Sequence, residues 1–63
     1  MKMKAIVRLE DGTETSREGD YEYQHQKDSF IEQVMGKGIW VVRKKETAWY
    51  PPSAVIEIVF KGK

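Results

Sequence analysis

Met3, Ala5, Val7 and Leu9 alternate with Lys4, Arg8 and Glu10, and Ile6 is the one apolar residue on the polar side. A period of two over this length predicts a half-buried strand. Asp11-Gly12 follows directly and predicts a hairpin, because glycine takes a positive φ without steric cost. The return strand, residues 13–17, carries threonines but no apolar face, which places it at a sheet edge. Gly19-Asp20 breaks the chain, and Tyr21 and Tyr23 then fall on one side of a short extended piece.

Ser29-Phe30-Ile31-Glu32 fits a capping box, with Ser29 accepting from the third helical amide and Glu32 reaching back. Phe30 with Val34, and Ile31 with Met35, are i,i+4 pairs that form one apolar face. Gly36 and Gly38 supply the stop. The result is a helix of about two turns, stable only when that face docks on a sheet. Residues 39–43 form a continuous apolar, β-branched run and read as the central strand. Lys44-Lys45-Glu46 makes a turn, residues 47–50 a strand, and Pro51 leaves the ladder because it has no N–H to donate. Pro52-Ser53 makes a corner before the last strand, residues 54–60. The expected fold is α+β: a small, strongly curved or barrel-like antiparallel sheet of about five strands with one short helix, ordered β-β-α-β-β-β, in a single domain over 1–63.

The last strand is apolar on both sides. Ile56, Ile58 and Phe60 take one face and leave Val55 and Val59 on the other around Glu57. Likewise Trp40 and Val42 oppose Ile39 and Val41. One short helix covers only one face of a sheet, so the other must curl into a barrel or meet a partner. Val55, Glu57 and Val59 are therefore the candidate protein-contact surface, for another protein or for a second copy in a homodimer.

Size sharpens this expectation. A domain of 63 residues buries only about 60% of the surface of its unfolded chain. Such domains recruit disulfides, a metal or a partner subunit. With no cysteine and the single histidine His25, neither a disulfide nor a metal site is expected, and self-association remains. The basic-then-apolar start is broken by Arg8, and no stretch approaches the roughly 20 apolar residues of a membrane span. A cytoplasmic protein without membrane contact is expected. Charge is segregated: residues 10–32 hold eight acids against Arg17 and Lys27, while 1–9 and 33–63 are both net basic. Such a split surface can steer a partner or pair head to tail.

Trp49-Tyr50-Pro51-Pro52-Ser53-Ala54-Val55-Ile56-Glu57-Ile58 resembles the strand, one-turn 3₁₀ corner and strand that closes SH3-like and Sm-like small barrels. The whole chain, with its Asp-Gly hairpin first and this corner last, also resembles small proteins encoded in bacterial prophages. The resemblance implies a barrel-type closure and a phage-type accessory factor that binds a protein.

Motifs of catalysis are absent from the sequence: it has no phosphate-binding glycine loop, no His-Glu-x-x-His and no nucleophile elbow. His25, Asp28 and Ser29 have the residue types of a hydrolytic triad but crowd into one segment, where a triad draws its groups from separate elements. They read as a loop histidine, a helix-dipole partner and a helix cap. Glu10 and Asp11 sit at a hairpin tip in water, where nothing raises a carboxyl pKa for acid chemistry. A non-catalytic protein without a cofactor is expected.

One constellation stands out. Trp40, Trp49 and Tyr50 lie near Arg43, Lys44 and Lys45, and antiparallel pairing of 39–44 with 47–51 brings them together. Aromatic platforms beside a basic groove hold single-stranded nucleic acid, so Arg43, Lys44, Lys45, Trp49 and Tyr50 form the alternative, nucleic-acid surface. Against it, so small a domain needs its tryptophans as core, which leaves at most one of Trp40 and Trp49 for binding. The acidic 10–32 segment also weighs against a dedicated nucleic-acid protein.

Overall fold

A computed structural model describes residues 2–62; Met1 and Lys63, the ends of the expected 1–63 domain, lie outside the described residues. The fold of the described residues is α+β, with five strands, one α-helix and antiparallel sheets. Its strands are β1 (Met3–Leu9), β2 (Glu14–Gly19), β3 (Ile39–Val42), β4 (Thr47–Tyr50) and β5 (Val55–Gly62). The helix α1 (Gln24–Lys37) lies between β2 and β3, and a 3₁₀ turn (Pro52–Ala54) joins β4 to β5.

The strands form two sheets and do not close into a barrel. One has the order β2-β1-β5 and the other is the β3–β4 ribbon. The central strand is β1, not residues 39–43, because among the described residues β1 alone has a partner strand on each side. Ala5, Val7 and Leu9 are accordingly fully buried. Val7 and Leu9 join Val34 of α1 and Ile39 and Val41 of β3 in one core cluster, with Phe30, Tyr50, Val55 and Ile58 packed against it. Beside it, the rings of Tyr21, Phe30 and Phe60 meet with centroids 5.3–5.9 Å apart. Edge-to-face and tilted contacts of this kind add to area burial.

The Asp11-Gly12 hairpin forms as expected. Gly12 has φ 90°, and the Thr13 amide donates to Asp11 Oδ1 at 2.9 Å. The proline corner also forms, with the Ala54 amide bonded to Pro51 O at 3.0 Å. Ala54 O in turn accepts from the Glu10 amide at 2.9 Å, which fastens the corner to the β1–β2 loop.

The helix differs from expectation. It is 14 residues long, begins after Tyr23, and runs through Gly36 to stop at Gly38. Gln26 caps it by reaching back to accept from the Tyr23 amide at 2.9 Å, the N3 half of a capping box. Ser29 is therefore an exposed mid-helix residue. Asp28 accepts from Gln24 Nε2 at 3.0 Å, one turn away, instead of complementing the helix start. Tyr21 and Tyr23 part company: Tyr21 turns inward, while Tyr23 is exposed and its ring lies parallel to that of His25.

β5 differs too. It pairs with β1 at Ala5↔Phe60, Val7↔Ile58 and Arg8↔Glu57, but then Leu9 opposes Val55 and skips Ile56. This bulge exchanges the faces of the strand's first two residues. Val55 turns into the core, and Ile56 turns out to solvent at 66% exposure.

Candidate binding surface

The β3–β4 ribbon has one buried and one open face. Register pairs Ile39 with Tyr50, Trp40 with Trp49, Val41 with Ala48 and Val42 with Thr47. Directly opposed residues share a face, so Ile39, Val41, Ala48 and Tyr50 point toward the core and Trp40, Trp49, Val42 and Thr47 point away. Exposures agree: Trp40 is 58%, Val42 78% and Trp49 49% accessible. Both tryptophans thus face solvent, against the expectation that at least one would fill the core. The core is filled instead by the smaller side chains of β1, β3 and α1.

The two indoles are held differently. Trp49 donates its Nε1–H to Lys37 O at 2.9 Å, satisfying one of the carbonyls left open at the end of α1. Its ring edge lies against Gly38: a Cβ built there would fall 2.8 Å from Trp49 Nε1. Among the described residues the Trp40 side chain has no hydrogen bond, but its backbone oxygen accepts from Arg17 Nη2 at 2.6 Å. That guanidinium also donates to Thr15 Oγ1 and Ser16 O, so Arg17 bridges β2 and β3 across the gap between the sheets. Beside Trp40 lies an open cleft of about 300 Å³ lined by Arg17, Phe30, Gln33, Val34 and Lys37.

The basic residues expected here are not equivalent. Arg43 donates to Tyr50 Oη at 2.6 Å and pairs with Glu46 at 3.4 Å. The Tyr50 hydroxyl in turn donates to Asp11 Oδ2 at 2.7 Å, which joins the ribbon to the β1–β2 loop. Tyr50 therefore belongs to a structural link and not to an open platform. Lys44 and Lys45 are exposed in the turn beside Val42 and carry no ion pair among the described residues.

Hydrogen bonds from Tyr50 and from Thr13 lower the pKa of Asp11 from 3.8 to about 2. A carboxyl whose folded pKa is depressed favours the fold above its unfolded pKa and loses that contribution as it protonates. Its share of stability is therefore complete above pH 3.8 and disappears as the pH falls through about 2. Asp11→Asn is expected to flatten the acid-unfolding curve within that window and leave its neutral-pH arm parallel to that of the parent. Denaturant midpoints measured on either side of the window check this.

Of the other expected contact surface, Glu57 and Val59 lie on the outer face of the β2-β1-β5 sheet, where Glu57 pairs with Arg8 and Val59 opposes Ile6. Val55 does not belong with them, because the bulge turns it inward. His25, Asp28 and Ser29 are all exposed on the first turns of α1, and no hydrogen bond links them. Among the described residues no group of His, Asp and Glu is placed to hold a metal ion. Nor is any helix there long and apolar enough to cross a membrane.

Fold and surface together define a small α+β domain that presents an aromatic ribbon to solvent. No protein-family model matches this chain, and neither a curated protein nor a solved structure shows significant similarity to it.

Proposed function

We propose that this chain is a non-catalytic interaction module that binds a protein through the open face of the β3–β4 ribbon. The observation that carries the reading is the exposure of Trp40, Val42 and Trp49 on one face. Contiguous exposed apolar side chains mark interaction surfaces, and tryptophan is enriched at their energetic centres. Lys37, Lys44 and Lys45 at the margins suit an acidic rim on the partner.

Single-stranded nucleic acid is the second reading, favoured by two solvent-facing indoles beside Lys44 and Lys45. The geometry supports it less well. Arg17 and Arg43 are each held by guanidinium bonds within the chain, and the Trp49 edge is fastened to the helix end. Val42 offers no ring on which a base could stack.

Trp40→Ala is expected to leave the melting temperature nearly unchanged, within the roughly 0.5 kcal/mol typical of surface substitutions. A photo-crosslinking residue in place of Val42 should capture an acidic protein in host cells, and Trp40→Ala should abolish that capture. Capture of nucleic acid at this position, with oligonucleotide affinity that falls steeply with salt, would promote the second reading.

A further inference from the structure

We propose that two copies of this chain pair edge to edge along β5, in antiparallel register centred on Val59, to make one continuous six-stranded sheet. This contact lies on a different surface from the tryptophan ribbon, so either can stand without the other.

β5 is an edge strand: β1 occupies one side, and among the described residues nothing pairs with the other. Exposed edges are ordinarily blunted by charge, proline or a bulge. Here the bulge at Ile56 ends the regular ladder on one side and Gly62 ends the strand on the other. The open stretch between them runs from Glu57 to Lys61, with only Ile58, Val59 and Phe60 inside it. Its midpoint is Val59.

A two-fold axis at Val59 places each residue opposite its mirror position in the second strand, and the sequence is self-complementary there. Val59 meets Val59 of the second copy, Glu57 meets its Lys61, and Ile58 meets its Phe60. Shifting the axis to Ile58 instead sets Glu57 against a valine and Lys61 against another, so the charges select the first register.

The neighbouring strands extend the pattern. Within one chain Lys61 lies directly opposite Lys4 on β1, a like-charge pair, whereas Glu57 lies opposite Arg8. Arg8 in turn contacts Glu14 at 3.2 Å, and Lys4 is opposite Glu18 on β2. Pairing at Val59 sets Glu57 of the second copy beside the Lys4–Lys61 pair, giving a carboxylate to each end of it. Between two such charged rows runs an apolar strip of Ile6 and Val59 from each copy, all four half-buried in the single chain. The contact is isologous, as a closed two-fold dimer requires.

Charge swapping tests the register. Glu57→Lys and Lys61→Glu should each weaken association roughly tenfold or more, since each turns both cross-copy pairs repulsive. Mixed in equal amounts they should associate again, because one chain then carries lysine at both positions and the other glutamate. Sedimentation velocity over a roughly hundredfold concentration range reads this. Glu57→Lys also loses the bond to Arg8, so circular dichroism must show it folded. Lys61→Glu, which removes the Lys4 repulsion, carries the test alone if it is not.

Val59→Cys supplies an independent readout in a chain that has no other cysteine. Opposed Cα atoms in antiparallel strands lie about 4.5–5.5 Å apart, within disulfide reach, so mild oxidation should give a covalent dimer. A parent that stays monomeric at every concentration overturns the proposal. So does a dimer that ignores both charge reversals and fails to crosslink through Val59→Cys, above all one that Trp40→Ala dissolves.

Discussion

Gly38→Ala is expected to leave the domain largely unfolded at room temperature. Gly38 has φ 76° and ψ −165°, a region open essentially to glycine alone. A Cβ there would also fall 2.3 Å from Tyr50 O, a backbone atom of β4 that cannot swing aside. Backbone strain and the enforced shift each cost about 1–3 kcal/mol, so together they reach about 2–6 kcal/mol. A core of this size supplies about 3–5 kcal/mol in all. Circular dichroism against temperature checks it, with Gly36→Ala as control: Gly36 lies inside α1 with open space at its Cβ, and there alanine should stabilise by up to about 1 kcal/mol. A Gly38→Ala variant that melts like the parent would mean that β4 does not close over the helix end.

Leu9→Ala is expected to cost about 2–5 kcal/mol, the range for deleting a buried aliphatic side chain. Leu9 is 1% exposed and closes the central strand against the core. Ile58→Ala should cost about half as much, because Ile58 is only half-buried on the edge strand that β1 supports. Urea midpoints of the two variants test the order. A larger loss at Ile58 would move the structural centre from β1 to β5.

Where the polar-apolar pattern discriminates, the sequence already shows the fold. β1 alternates cleanly, the Asp-Gly loop has a residue that tolerates positive φ, and Pro51-Pro52 can only make a corner. Where every position is apolar, alternation is silent. In Ile39-Trp40-Val41-Val42 either face could be the buried one, and only the placement of α1 against Ile39 turns the two tryptophans outward. The helix start was hidden for the opposite reason: residues 24–28 are wholly polar, so they carry no apolar period although Gln and Lys favour helix. Gln26, three residues after Tyr23, is the signal that could have marked it. The bulge at Ile56 follows directly on the 3₁₀ turn, and no residue type in 54–57 announces it. The Asp11–Tyr50–Arg43 link joins loops far apart in sequence, and only the fold brings them together.

The ladder between β1 and β5 has a consequence for the order in which the protein is made. Arg8 and Glu57 are partners separated by 49 positions, so the most buried strand depends on one synthesised much later. A ribosome adding about 5–20 residues per second leaves β1 without that partner for roughly 2–10 s. During this interval β1 can pair only with β2, in a hairpin that is marginal by itself. Ala5, Val7 and Leu9 meanwhile lack the β5 side of their sheet, so the three-stranded sheet cannot be complete before β5 is made.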